Sequence, residues 1–223
     1  MMKILVPIGL ALVVIAVLLL ARQAQQTPPA PRTAGLPASP RGLAATQVGG
    51  RWVESKPGAG TSYTDGKWIT VDYGRPILRG RQDIFGSGAD YGKKVNAGAP
   101  VWRAGANQTT RLRTDVPLVL AGQTLPPGEY SVFVDLKPDA WTLILSRQPY
   151  QRVYDPKNTT DTWGSFNYNA SFDVLRAPMT LTKGAWSVNQ FTIEFVNMTD
   201  EGGALAMLWE RDIASVDFRT AAR

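Results

Sequence analysis

The clearest periodicity in the chain is two. Phe191, Ile193 and Phe195 alternate with Thr192 and Glu194, and Leu205, Met207 and Trp209 repeat the rhythm. Between them lies Thr199-Asp200-Glu201-Gly202-Gly203, so the two runs read as half-buried strands joined by a hairpin turn. Lys67 to Tyr73 alternates in the same way, with Trp68, Thr70 and Asp72 set against Ile69, Val71 and Tyr73; Pro76 ends it. Three further strands are expected within 100–136: Thr109 to Thr114, Val116 to Ala121, and Glu129 to Leu136. Gly122 and Leu125-Pro126-Pro127-Gly128 supply the reversals, and the pattern predicts a three-stranded antiparallel meander. Trp141 to Ser146, Phe172 to Met179 and Ile213 to Phe218 add three more, with a short strand around Thr46 to Val48. Arg75 to Gly92 is irregular, with one helical turn near Asp83 to Phe85. About nine short strands and no long amphipathic helix predict a mostly β fold, an antiparallel, jelly-roll-like β-sandwich.

Ahead of that pattern the period disappears. Ile4 to Ala21 is eighteen uncharged residues. At about 1.5 Å per residue such a helix spans about 27 Å, close to a bilayer's hydrocarbon thickness. No small-x-small site follows it cleanly, so it reads as an uncleaved single-pass anchor in the bacterial cytoplasmic membrane. Lys3 against Arg22 favours a cytoplasmic N-terminus. Gln23 to Leu43 carries Pro28, Pro29, Pro31, Pro37 and Pro40, which predicts an extended tether. The expected organisation is therefore an anchor at 1–22, a Pro-rich linker at 23–43 and a periplasmic domain at 44–223.

Composition narrows the chemistry. The 223 residues carry a formal charge of +6 but no Lys/Arg run, so no nucleic-acid partner is expected. There is no histidine and no cysteine. That excludes Ser-His-Asp and Cys-His catalysis, the usual zinc sites and thiolate-bound clusters, and neither a cofactor nor a metal is expected.

The chemistry-bearing candidates are few. Trp102, Arg103 and Asn107 form an aperiodic aromatic, cation and amide set suited to a sugar or a carboxylate, with Arg75, Arg79 and Arg81 as neighbouring anion donors. The competing reading has Arg103 paired with a buried Asp and Asn107 bonding its own loop. Asp155, Asn158 and Asp161 offer oxygen ligands at i, i+3 and i+6, though Lys157 among them favours a plain turn. Two of Asp72, Asp135, Glu194 and Glu210 facing one cleft would be needed for carboxylate-only hydrolysis. Gly9, Ala11 and Ala16 are small residues suited to helix packing in lipid. Trp52, Tyr150 and Tyr154 are candidate aqueous anchors for a partner, and Trp163 and Trp186 are further exposed aromatics.

Several of these stretches together resemble the bacterial domain family of unknown function DUF2911. They are Ser39-Pro40-Arg41, Ile69 to Pro76, Arg79-Gly80-Arg81, Ile84-Phe85-Gly86, Tyr91-Gly92-Lys93, Val101 to Asn107, Leu125 to Ser131, Trp141 to Leu145 and Trp163-Gly164. The resemblance spans roughly 39–218 and implies export, without assigning an activity. Arg51 to Asp65, Lys94 to Pro100 and Gln148 to Thr162 depart from the family pattern and read as surface loops where a partner would bind. The expected function is a membrane-anchored accessory or scaffolding subunit whose partners are other subunits of a membrane complex, such as a photosynthetic or respiratory assembly, and the bilayer along 4–21. The alternatives are a small-ligand or carbohydrate-binding module and a carboxylate-only hydrolase.

Overall fold

Alternation of apolar and polar side chains decides which face of each strand is buried, and here it yields two antiparallel sheets around one core. The computed structural model describes residues 37–221. In chain order the strands are β1 (Arg41–Val48), β2 (Arg51–Glu54), β3 (Thr61–Thr64), β4 (Lys67–Gly74), β5 (Thr110–Thr114) and β6 (Leu118–Leu120). They continue with β7 (Gln123–Leu125), β8 (Gly128–Asp135), β9 (Thr142–Ser146), β10 (Asp173–Pro178), β11 (Thr180–Val196) and β12 (Gly202–Thr220). A six-stranded sheet has the order β1-β4-β5-β8-β9-β10, and a four-stranded sheet the order β11-β12-β6-β7. The chain is thus mostly β, as expected. Among the described residues no helix is long and apolar enough to cross a membrane. The anchor expected at 4–21, with Gly9, Ala11 and Ala16, lies outside the described residues.

The inner faces meet in a single apolar cluster. Ile69 and Val71 of β4, Val132 and Val134 of β8, and Leu143 and Leu145 of β9 come from one sheet. Phe191 and Ile193 of β11 and Leu205 and Met207 of β12 come from the other. Thr192 is half-buried and Glu194 exposed, so the expected register of β11 is the observed one. At its centre Phe85, Trp102, Trp141, Phe191 and Trp209 contact one another edge-to-face or stacked, with centroids 4.6–6.1 Å apart.

Five expectations are corrected. The meander is absent: β5 pairs directly with β8, from Thr110↔Val132 to Thr114↔Gly128. The intervening β6 and β7 form a hairpin in the other sheet, with β6 on β12. A Leu-Val-Leu run is buried equally well in either sheet, so its pattern does not say which. The domain does not begin at 44, because β1 starts at Arg41 and pairs along the whole of β4. Its small residues have weak strand propensity, and the free edge of β4 organises them. The 51–65 stretch is a hairpin, β2 on β3, rather than a plain loop. The helical turns fall at Gly88–Asp90 and Lys93–Asn96 rather than at 83–85. Finally, β12 runs unbroken through Glu210-Arg211-Asp212. Glu210 adopts φ 55 there, and Asp212 is buried at 2.5 Å from the Lys183 ammonium.

Candidate functional site

Trp102 is a core aromatic at the floor of a cleft. Its backbone forms a two-bond bridge with Val134, at 2.9 and 2.8 Å, which extends the pairing of β5 along β8. That pairing drives its indole into the core, where it is 1% exposed. Residues 103–109 are then an excursion out of the strand line. Thr110 Oγ1 ties it down by donating to Ala104 O at 2.9 Å.

Arg103 makes no ion pair among the described residues, so the reading that pairs it with a buried Asp does not hold. Its Nη1 donates to Asn107 O at 3.0 Å, its guanidinium lies 5.7 Å from the Phe166 ring centroid, and burial lowers its pKa. A Cβ at Gly164 would sit 2.6 Å from that Nη1. Arg103 is therefore a clamp between its own loop and the 163–166 turn. Asn107, at φ 62, donates from its amide to Ser39 O at 3.4 Å and so joins the loop to the chain ahead of β1.

Arg75 is structural as well. Its Nε donates to Phe191 O at 3.3 Å and its Nη2 to Thr192 Oγ1 at 3.2 Å, linking the two sheets. Arg79 is exposed on a turn at φ 50. Of the residues expected in one ligand site, Trp102, Arg103 and Asn107 line a common cleft of about 270 Å³, with Arg81 and Lys94 at its rim and Ile84, Val95 and Trp209 below, whereas Arg75 and Arg79 are not part of its lining.

The outer face of the six-stranded sheet carries the polar cluster that sequence reading missed. Beyond β8, Val101, Phe133, Ile144 and Tyr168 form a second apolar cluster, which closes that half of the face. The half formed by β1, β4 and β5 stays open. Arg111 lies there under Tyr150, 4.1 Å from the ring centroid, with Nε donating to Glu129 Oε1 at 3.1 Å and Nη1 to Ser131 Oγ. Tyr150, expected as a partner anchor, is half-buried by this stacking. Beside it Arg41 bonds both Asp72 and Gln108. The signal that could have located the cluster is Arg111 and Arg113 alternating outward along β5.

Tyr168 titrates abnormally. Burial, then its 2.6 Å hydrogen bond to Asp173 Oδ2, pushes the phenol up to about 12. The protonated form is favoured in the fold, so its stabilisation is complete below the ordinary value near 10 and lost as pH rises through about 12. Denaturant unfolding followed between those values should show stability falling in the parent. In Tyr168→Phe that component of the slope should vanish.

Aromatic rings also stand clear of the core. The β2–β3 hairpin holds Trp52 edge-to-face on Tyr63, centroids 5.3 Å apart, beside half-exposed Trp68. With Gln47, Met198 and Asp200 these rings line an open groove. Trp52 is 65% exposed, and Trp186, on the bulge of β11 between Lys183 and Val188, is 73% exposed. Tyr154 is exposed and Trp163 half-buried, at a centroid distance of 5.6 Å.

A family model, described as a protein of unknown function, DUF2911, matches residues 56–218. The chain belongs to the DUF2911 family. The match begins inside the β2–β3 hairpin, so β1 and Trp52 precede it. No curated protein and no solved structure matches the chain.

The carboxylates of this DUF2911 chain are occupied separately. Asp72 pairs with Arg41, and Asp135 with Lys137 and Arg176. Glu210 accepts from the backbone N–H groups of Asp83 and Ile84 at 2.9 and 3.0 Å, and Glu194 accepts from Phe195 N. No two of the four share a partner. Asp155 Oδ1 accepts from Lys157 N, and Asn158 Oδ1 from the N–H groups of Thr160 and Asp161, so the 155–161 segment is a self-bonded turn. Among the described residues no group of three or more acidic side chains is placed to hold a metal ion.

Proposed function

We propose that the chain is a non-catalytic accessory subunit of a larger membrane complex. Residues 4–21 anchor it in the cytoplasmic membrane with the N-terminus inside, and its jelly-roll-like β-sandwich works in the periplasm. The observation that carries this reading is the contrast between occupied and free groups. The candidate catalytic side chains are each bound to backbone or to a separate ion-pair partner, whereas Trp52 and Trp186 stand largely in solvent. Large rigid aromatics of that kind are the usual anchors of protein interfaces. A photosynthetic or respiratory assembly is the kind of host such a subunit would join.

The test is purification of the tagged full chain from detergent-solubilised membranes. A fixed, stoichiometric set of membrane subunits should accompany it. Trp52→Ala or Trp186→Ala should weaken retention by about tenfold or more, the loss of an anchor worth about 1.4 kcal/mol or above. Melting temperatures should stay unchanged, because neither ring is part of the core. A chain that purifies alone overturns the proposal. The second reading, a carbohydrate-binding module, rests on Gln47 and Asp200 beside the Trp52 and Trp68 rings, where a sugar could stack and hydrogen-bond. Retention on a glycan array lost in Trp68→Ala would favour it.

A further inference from the structure

One exposed apolar ridge lies away from the hairpin. Val153 is 80% exposed, and Tyr154 and Phe166 stand out beside it. Arg152, whose guanidinium lies 5.8 Å from the Tyr150 ring centroid, and Lys157 flank the ridge in the chain, and neither has an ion-pair partner among the described residues. The exposure is built rather than frayed. Gln151 donates to Asn158 O and Asp161 O at 3.1 and 3.2 Å and accepts from Asp155 N at 2.8 Å. Asn167 donates to the same two carbonyls, each at 3.1 Å. The two carboxylates of this loop are engaged within it: Asp155 accepts from Lys157 N and Asp161 from the Asn158 amide, both at 2.9 Å.

The ridge also sits where the chain enters the domain. Ser39 O accepts from Asn107, Arg41 bonds Gln108, and Gln108 donates to Arg152 O at 3.4 Å. Residues 22–36 separate this end from the proposed anchor. They can reach at most roughly 50 Å at about 3.3–3.6 Å per residue. A short apolar and tyrosine tip flanked by unpaired cations is the composition that settles at the headgroup level of an anionic bilayer.

We propose that Val153, Tyr154 and Phe166 dock on the periplasmic face of the bilayer, with Arg152 and Lys157 against anionic phospholipid headgroups. The inference rests on the anchor reading above. The tether holds the loop at high effective concentration over the membrane, so a contact too weak to bind free protein still orients the domain. It would leave the β2–β3 hairpin, at the other end of β1, directed to other partners.

The chain has no cysteine, which makes the test direct. Full-length Val153→Cys, labelled with an environment-sensitive fluorophore, is reconstituted in phosphatidylcholine vesicles containing a minority of phosphatidylglycerol and headgroup-nitroxide lipid. A label at Ala59→Cys, on the exposed tip of the β2–β3 hairpin, is the comparison. Quenching at 153 should exceed that at 59 several-fold. It should fall when phosphatidylglycerol is omitted, or when Arg152→Gln and Lys157→Gln are introduced. Resistance to alkaline carbonate extraction reports on the anchor separately. A carbonate-resistant chain with equal quenching at 153 and 59 overturns the docking inference and leaves the anchor standing. A carbonate-extractable chain overturns the anchor reading and, with it, the inference.

Discussion

Ile193→Asp leaves no folded domain. Ile193 is buried in the C-terminal half of β11 opposite Met207, and its backbone is held by the Tyr73 hydroxyl, which accepts from Ile193 N at 2.9 Å and donates to Ile193 O at 3.3 Å. The backbone cannot turn the new carboxylate outward without breaking both bonds. Loss of the apolar side chain costs about 2–3 kcal/mol. Burial of a carboxylate with no partner adds several kcal/mol more. Their sum approaches the whole stability of a typical domain, about 5–15 kcal/mol. Circular dichroism should show no cooperative melting for this variant and parent-like melting for Glu194→Gln on the exposed face. An aspartate variant that melts within a few degrees of the parent would mean that the register of β11 is wrong.

Gly74→Ala should be strongly destabilising, because the glycine is buried against backbone. A Cβ on Gly74 would lie 2.0 Å from Ala106 O and 2.8 Å from Ala106 C, both backbone atoms of the 103–109 excursion. Neither side can retreat freely. Gly74 is paired with Arg41, the next N–H is bonded to Pro40 O at 2.8 Å, and Arg103 clamps the facing loop to Gly164. The expected cost is about 3 kcal/mol or more, at the upper end for overpacking. Gly58→Ala, where no atom lies within 4 Å, should cost only about 1–2 kcal/mol, from its left-handed φ of 78. Denaturant midpoints at constant slope measure both. Equal shifts for the two variants would show that the loop does not pack on Gly74.

What the sequence revealed, and what it hid, follows from what each residue contacts. β4, β8, β9 and the apolar half of β11 were legible because each has one face in the core and one in water. β1 was not, because Gly42, Ala44 and Ala45 take their conformation from the edge of β4 rather than from their own preference. The β2–β3 hairpin was hidden by Thr and Ser, whose polarity reads as loop although Trp52 and Tyr63 pair across it. Around the candidate site one local feature hides the packing. Val101 to Asn107 has no strand period, so the sequence does not show which of its side chains the fold itself uses. The backbone bridge from Trp102 to Val134 lies outside any local pattern, and it turns the aromatic inward. Arg75, Arg103 and Asn107 then serve the fold. Arg111 was overlooked because its partners, Glu129, Ser131 and Tyr150, are scattered along the chain and meet only on the assembled sheet.

Between β5 and β8 the chain leaves one sheet, builds a hairpin in the other and returns. That detour sets the order of events in folding. The β6–β7 hairpin finds its place only against β12, which is made almost a hundred positions later in the chain. The four-stranded sheet cannot be completed before then, and the inner face of the six-stranded sheet stays uncovered until it is, so partial structures are poor resting points. Contacts so remote in sequence slow the search, because loop closure must precede the burial that rewards it. During synthesis the domain therefore has no stable half to wait in, and nearly the full length must emerge before the core can form.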